Sequence, residues 1–228
     1  MIGYGKTFAG WYECHTYRGT LAGARIHLYL QFMNIHSTSK DSIIVKGIYK
    51  YDKINEPINL RGVLLNQRVL KLTEFHDDNP FAELLMEWGK DNVDGIWNSS
   101  NKSYKIQLEK VGYLSDIDEK RVNEPTDIMM ESAFKNEYLI GTYLKTTLDQ
   151  RAKMTQLKVI DKKTNQLKHL IKFDNKDKPI GNVMTDIFSN VTIWKTPKAL
   201  LINVDDGHMG GSFFMTYNES LHEFVIDE

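Results

Sequence analysis

Two carboxylates and an imidazole stand close together near the end of the chain, in the run Asp205-Asp206-Gly207-His208. Carboxylate oxygens and imidazole nitrogens are common ligands of divalent cations, so this run is a candidate metal site. The alternative is a solvated turn, because Asp-Gly is a frequent turn pair and the residues on both sides alternate as strands do. We favour the turn, and we therefore expect no bound metal.

The glycine-rich run DDGHMGGS, residues 205–212, is the stretch best suited to contact another molecule. Its glycines allow backbone conformations that other residues avoid, and loops held by rigid strands often carry function. Such a loop can enter the cleft of a partner protein. The alternative is a long hairpin tip without a function. The residues predicted to contact a partner are Gly207, His208, Met209, Gly210, Gly211 and Ser212.

The patterns that catalysis usually requires are missing from the sequence. There is no glycine-rich phosphate loop, no nucleophile elbow and no HExxH motif. Glu83 and Glu87 have the residue types of an acid–base pair, but on a strand they lie about 13 Å apart, further than paired glycosidase carboxylates. We therefore expect a protein that binds rather than catalyses, and that needs no cofactor.

The bulk composition excludes some classes of partner. With 29 basic and 30 acidic residues the net charge is -1, which argues against a protein that binds nucleic acid by neutralising phosphates. No apolar run approaches the roughly 20 residues that span a bilayer, so membrane insertion is not expected. Cys14 is the only cysteine. It excludes an intramolecular disulfide, and we predict a small buried side chain there.

Period-two alternation of apolar and polar residues predicts the strands that must position these side chains. The clearest case is Ile43–Phe75, which reads as three strands with turns at Asn55-Glu56-Pro57 and Asn66-Gln67. About eight strands fit before residue 112, and closing such a meander into a barrel hides its edges. We predict an all-β protein in which an antiparallel meander closes into a small eight-stranded barrel, followed by a second antiparallel β domain.

The predicted domain boundaries follow changes in composition. Residues 1–112 form a lipocalin-like barrel, residues 113–136 form a charged linker, and residues 137–228 form the second β domain. Within the linker, Ile128–Lys135 is a candidate for a short helix that the preceding Asp residue caps. In the second domain, Asp161–Asn165 has the composition of a hairpin turn.

An eight-stranded barrel is just wide enough to hold one small ligand, which makes a hydrophobic-ligand carrier an alternative function. Aromatic side chains would line such a pocket; alternatively they fill the core, as they mostly do in small β proteins. A core filled by the protein's own side chains would argue against a carrier. The candidate pocket residues are Trp11, Tyr29, Tyr49 and Trp97.

Part of the first half resembles a recurrent module of exported bacterial proteins. The matching segments are YRGTLAGARIHLYLQF, VKGIYKYDKINEPINLRGVLLNQRVLKLTEF and GIW. They follow the module's pattern of Y-x-G-T-[IL]-x-G, then G-x-Y-x-Y-D, L-x-L-x-E-F and G-x-W. The resemblance implies a periplasmic protein whose leader has been removed, with a cytoplasmic location as the alternative. It implies no particular chemistry.

The segments LKVIDKKTNQLKHLIKF and LLINVDDGHMGGSFFMTYNESLHEFVI are similar to bacterial periplasmic lysozyme-inhibitor-like proteins. Loops of those β proteins plug the active site of a peptidoglycan hydrolase, and some serve as immunity proteins against secreted toxin effectors. Tyr217, Asn218 and Phe224 match the closing segment of that family. Asp205-Asp206-Gly207 lacks the family's full D-x-N-x-D-G turn, so the resemblance does not extend to bound calcium. It implies an inhibitor or immunity protein that uses residues 207–212 for contact.

Overall fold

The structure, a computed structural model, is built almost entirely from antiparallel strands, which confirms the predicted all-β class. Its strands form a closed barrel and two four-stranded sheets. The only helix among the described residues is a 3₁₀ turn at Ile187–Ser189. The structure describes residues 12–33, 41–89, 91–115, 123–145, 152–173, 186–196, 198–205 and 210–226.

The first eight strands close into the predicted antiparallel barrel. They are β1 (Tyr12–Leu21), β2 (Ala24–Met33), β3 (Ser42–Tyr51), β4 (Ile58–Leu65), β5 (Val69–His76), β6 (Asn79–Trp88), β7 (Asn92–Ser99) and β8 (Lys102–Ser115). Each strand pairs with the next along the chain, and β1 pairs with β8 to complete the ring. Because the ring is closed, none of these strands is left as an open edge.

Tight turns join several of the barrel strands. Asn66 and Gln67 have φ values of 48° and 54°, and Asp77 and Asp78 have values of 49° and 62°. Positive φ at both central residues is the type I′ geometry, whose twist matches that of the flanking strands. Asn and Asp accept this conformation more readily than most residues, so the sequence chemistry accounts for the reversal predicted at Asn66-Gln67.

The barrel interior is filled by the protein's own side chains. Successive residues of a strand face opposite sides, so every second residue of each barrel strand points inward. These inward residues form one buried apolar cluster. Its fully buried members include Tyr17, Leu30, Val45, Leu70 and Ile106.

Four strands form the sheet that follows the barrel. They are β9 (Asn123–Ala133), β10 (Glu137–Lys145), β11 (Lys153–Asp161) and β12 (Leu167–Lys172), in the order β12-β11-β10-β9. The short helix predicted at Ile128–Lys135 is therefore wrong, because most of that segment belongs to β9. Asp127 caps no helix; its carboxylate accepts a hydrogen bond of 2.6 Å from Thr142 on the neighbouring strand β10.

The last four strands form a second sheet. They are β13 (Val191–Trp194), β14 (Ala199–Asp205), β15 (Gly210–Asn218) and β16 (Glu223–Ile226), paired in chain order. Strand β9 contacts β3 and β8 of the barrel, and it also contacts β13 and the 3₁₀ helix. It thus occupies the centre of the molecule, between the barrel and this last sheet.

The barrel and the two sheets share one apolar core. Cys14, Tyr29, Ile48 and Leu114 lie on the outer face of the barrel wall, and they belong to the same buried cluster as the inner residues of both sheets. The prediction that Cys14 is buried is confirmed. Polar contacts also cross this boundary, since the side-chain oxygen of Gln31 accepts a hydrogen bond of 3.0 Å from the backbone N–H of Ile187.

The hairpin between β11 and β12 is organised by one carboxylate, that of Asp161. Its Oδ1 accepts hydrogen bonds from the backbone N–H groups of Lys163 at 2.9 Å and Thr164 at 2.8 Å. The Lys168 ammonium lies 3.1 Å from Oδ2. The bond from Thr164 and then the contact with Lys168 lower the pKa of Asp161 to about 2. This arrangement confirms the hairpin turn predicted at Asp161–Asn165.

We expect acid to remove the stabilisation that Asp161 provides. Its folded-state pKa lies below the ordinary value of 3.8, so the ionised form is favoured by folding. The contribution is complete above about pH 4 and is lost as the pH falls towards about 2. The Tm difference between the parent and Asp161→Asn should therefore shrink across that window in thermal unfolding followed by circular dichroism. A difference that stays constant with pH would contradict this account.

Candidate functional site

The solvent-facing side of the last sheet carries an exposed aromatic pair. Trp194 on β13 and Phe214 on β15 lie with their ring centroids 5.9 Å apart in a T-shaped arrangement. Trp194 is 51% exposed and Phe214 is 41% exposed. Large aromatic side chains are enriched among the groups that anchor protein–protein contacts, so this exposed pair is a candidate contact site.

The strand register explains why these two rings face outward. Ile193, Leu200 and Met215 are aligned across β13, β14 and β15, and they point into the shared core. Because strand side chains alternate, their neighbours Trp194 and Phe214 point to solvent. The sheet thus buries one apolar face and keeps a second, smaller one exposed.

The hairpin between β14 and β15 carries the residues that were predicted to contact a partner. Gly210 and Gly211 lie in β15 and pair with Asp205 and Val204 of β14. Ser212 is exposed and pairs with Asn203. The remaining predicted contact residues, Gly207, His208 and Met209, lie outside the part of the chain that the structure describes. The strands on both sides of this segment pair with each other, whereas the turn itself and partner contact stay predictions.

The surface next to this hairpin is continuous with the aromatic pair. Ser212 and Phe214 are two residues apart on β15, so their side chains share the outward face. Leu201 on β14 is aligned with Phe214. We refer to Trp194, Leu201, Ser212 and Phe214 together as the hairpin face. It combines an apolar surface with a hairpin that connects two regular strands.

The candidate metal residues fall at the same hairpin. Asp205 is the last residue of β14, and Asp206 and His208 lie outside the described residues. Within the described ranges, no group of three or more His, Cys, Asp or Glu side chains is arranged to hold a metal ion. Because Asp206 and His208 lie outside the described ranges, the geometry does not test a metal site at this turn.

The four candidate pocket residues are not brought together in one pocket. Tyr49 and Trp97 point into the barrel, where both are buried. Tyr29 belongs to the other core cluster, on the outside of the barrel wall. Trp11 lies outside the described residues. Tyr29 is thus separated from Tyr49 and Trp97 by the barrel wall itself.

A buried carboxylate holds Tyr49 and Trp97 in place. Oε2 of Glu74 accepts hydrogen bonds of 2.7 Å from both the Tyr49 hydroxyl and the Trp97 indole N–H. Oε1 lies 2.8 Å from Nε2 of His76. Burial and the negative charge of Glu74 raise the pKa of Tyr49 well above its usual value, so the phenol keeps the proton that it donates. Glu74 therefore holds the side chains of Tyr49 and Trp97 in place in the barrel core.

Glu83 and Glu87, which have the residue types of an acid–base pair, lie on the outer face of β6. Both side chains are mostly exposed. Glu83 is 3.4 Å from the Lys71 ammonium, and Glu87 is 3.1 Å from the Arg68 guanidinium. These contacts are ordinary surface ion pairs between neighbouring strands, which contribute little to stability.

Comparison with protein-family models, with curated proteins and with solved structures finds no match to this chain. Function is therefore inferred from the geometry of the sites and from the sequence. Among the described residues, no helix is long and apolar enough to span a bilayer.

Proposed function

We propose that this chain is a non-enzymatic binding protein of the bacterial envelope that blocks another protein. The target is a peptidoglycan hydrolase or a secreted toxin effector, and the blocking element is the β14–β15 hairpin with the hairpin face beside it. The observation that carries the proposal is the exposed Trp194–Phe214 pair on the outward face of the sheet that contains this hairpin. The envelope location rests on the resemblance of the first half to an exported module.

The energetics of the aromatic pair support a role in binding. Burying an aromatic side chain of this size stabilises a complex by roughly 1.5–3 kcal/mol, provided that the partner surface is complementary. In protein interfaces a few such anchors carry most of the affinity, while the surrounding contacts mainly exclude water. Trp194 and Phe214 already contact each other, so two anchors lie within one small patch.

The packing of the barrel favours this function over that of a ligand carrier. A carrier of the lipocalin type needs space for its ligand inside the barrel. Here the inward side chains of the eight strands form a continuous buried cluster. The carboxylate of Glu74 ties Tyr49 and Trp97 into that cluster, so these two aromatic residues act as core residues.

The test begins with capture of a partner by the immobilised protein. The probes are a bacterial envelope extract, the purified product of the neighbouring gene, and a purified lysozyme. Capture alone does not support the proposal; the captured enzyme must also lose activity in a peptidoglycan clearing assay when the protein is added in equimolar amount. A captured hydrolase that keeps its full activity would contradict the inhibitor function.

Removing the aromatic pair should weaken that inhibition. We expect the double variant Trp194→Ala/Phe214→Ala to lose about 2 kcal/mol of binding free energy or more, which is a roughly 30-fold higher Kd. The matched control is Leu85→Ala/Ile96→Ala, since these residues are neighbours on the barrel surface and are 50% and 47% exposed. Isothermal titration against the captured enzyme measures both Kd values. Equal losses in the two double variants would contradict a specific role of the hairpin face.

A further inference from the structure

A cleft of about 650 Å³ lies between the outer wall of the barrel and strand β9. The barrel contributes His27, Tyr29 and Tyr113 to its lining, and β9 contributes Thr126 and Asp127. Its volume falls within the range of small-molecule sites, and clefts between two packed units are a frequent place for such sites. It is separate from the hairpin face, and nothing in the proposed function uses it.

The Tyr29 hydroxyl is the first sign that this cleft takes a ligand. Tyr29 is only 6% exposed, and among the described residues its hydroxyl makes no hydrogen bond. A buried tyrosine hydroxyl normally has a partner, so a missing one requires an explanation. Burial raises the pKa of Tyr29, and the neighbouring Tyr138, Asp127 and Asp52 raise it further. The carboxylates of Asp127 and Asp52 therefore lie near this hydroxyl.

His27 adds a second polar group whose chemistry is defined by its neighbour. Nδ1 of His27 lies 2.8 Å from Oδ1 of Asp52. Because a carboxylate only accepts, Nδ1 carries the hydrogen of this bond. In the neutral imidazole the other ring nitrogen, Nε2, is then an acceptor. The Lys50 ammonium also contacts Asp52, at 3.3 Å, and so holds the orienting carboxylate in place.

Asp127 supplies a third acceptor. Its carboxylate is half exposed; Oδ1 accepts hydrogen bonds from the Thr142 hydroxyl and the Lys158 ammonium, and Oδ2 accepts a second one from the same ammonium. Two carboxylate oxygens have about four lone-pair directions in total, so acceptor capacity remains after these contacts. The Thr126 hydroxyl, in contrast, donates to the backbone oxygens of Tyr113 and Glu124.

These three groups select for a ligand that donates hydrogen bonds. The Asp127 carboxylate accepts, Nε2 of His27 accepts when the imidazole is neutral, and the Tyr29 oxygen accepts as well as donates. A primary ammonium group offers three N–H donors and a positive charge, which match the acceptors and the carboxylates of Asp127 and Glu124 that line the cleft. The ring of Tyr113 provides an apolar wall for the organic part of such a ligand.

We propose that the cleft binds a small organic amine, whose ammonium group contacts Asp127, Tyr29 and His27. A neighbouring groove of about 420 Å³ shares His27 and continues past it along the barrel. This groove gives the organic part of the amine room to extend.

The probe is benzylamine, compared with benzyl alcohol and benzyltrimethylammonium by isothermal titration. Benzyl alcohol lacks the charge, and benzyltrimethylammonium keeps the charge but has no N–H donors. We expect saturable binding of benzylamine and at least tenfold weaker binding of both analogues. If benzylamine does not bind at millimolar concentration, or if benzyltrimethylammonium binds equally well, the proposal is overturned.

Tyr29→Phe separates binding from folding, because it removes only the hydroxyl that lacks a partner. We expect an unchanged Tm together with at least tenfold weaker benzylamine binding. Tyr104→Phe is the matched control, since Tyr104 lies on β8 outside the cleft lining, and it should leave the affinity unchanged. A clearly lower Tm for Tyr29→Phe would mean that the hydroxyl has a structural partner, and this result would overturn the proposal. An unchanged affinity of Tyr29→Phe for benzylamine would overturn it as well.

Discussion

Glu74→Ala should destabilise the protein by about 3–5 kcal/mol, more than any other single removal of a charged side chain that we consider. The substitution leaves the Tyr49 hydroxyl and the Trp97 indole N–H buried without their shared acceptor. Each unsatisfied buried donor costs roughly 1–3 kcal/mol. The lost methylene and carboxylate groups also leave a cavity in a filled barrel interior.

Urea denaturation and thermal unfolding measure this effect. For a chain of this size, each kcal/mol lowers Tm by about 2–4 °C, so a drop of roughly 6–20 °C is expected for Glu74→Ala. Glu83→Ala is the matched control, because that carboxylate is on the outer face of the adjacent strand. It should change the free energy of unfolding by less than about 0.5 kcal/mol. A loss below about 1 kcal/mol for Glu74→Ala would show that the network is dispensable.

Gly19→Ala should weaken the pairing of β1 with β8, which closes the barrel. Gly19 of β1 is paired with Leu108 of β8. A Cβ atom at Gly19 would lie 2.0 Å from the backbone oxygen of Gln107 and 2.8 Å from the Cα of Leu108. Both atoms belong to backbone, so neither can move aside by a rotamer change, and we expect a loss of about 3 kcal/mol or more.

Gly23→Ala is the control that distinguishes crowding from general loss of a glycine. Gly23 has a φ of +78° in the β1–β2 turn, and nothing lies within 4 Å of a Cβ placed there. Alanine at that position costs only the local strain of a left-handed conformation, about 1–2 kcal/mol. Urea denaturation of both variants gives the comparison. If Gly19→Ala is no more destabilising than Gly23→Ala, the close approach of β1 and β8 does not require glycine at position 19.

The barrel was predictable because several of its strands, most clearly β5 and β6, have one buried face and one exposed face. The alternation in Ile43–Phe75 and the turn at Asn66-Gln67 are visible without any structure. Strand β9 was missed because Ile128, Met129 and Met130 are consecutive and all buried. A strand covered on both faces loses the period-two pattern, and a short apolar run of this kind is equally compatible with a helix.

The sites were harder to predict than the fold. Tyr49 and Trp97 are apolar enough to be assigned to the barrel core, but Glu74 looks like a surface residue unless one notes that it continues the inward series of Leu70 and Leu72. Tyr29 lies on the polar-looking face of β2. That face is buried because β9 and the later sheet cover it, and a local pattern carries no information about such distant contacts.

The barrel ring and the shared core can close only after late segments of the chain have been synthesised. Strand β1 acquires its partner β2 early, but its other edge waits for β8, so the ring stays open until residue 115 has been made. The outer wall around Tyr29 and Ile48 is covered only by later residues, as far as Phe224. A nascent barrel therefore presents an apolar surface to chaperones and to other chains during most of its synthesis. The barrel segment is accordingly a poor candidate for expression on its own.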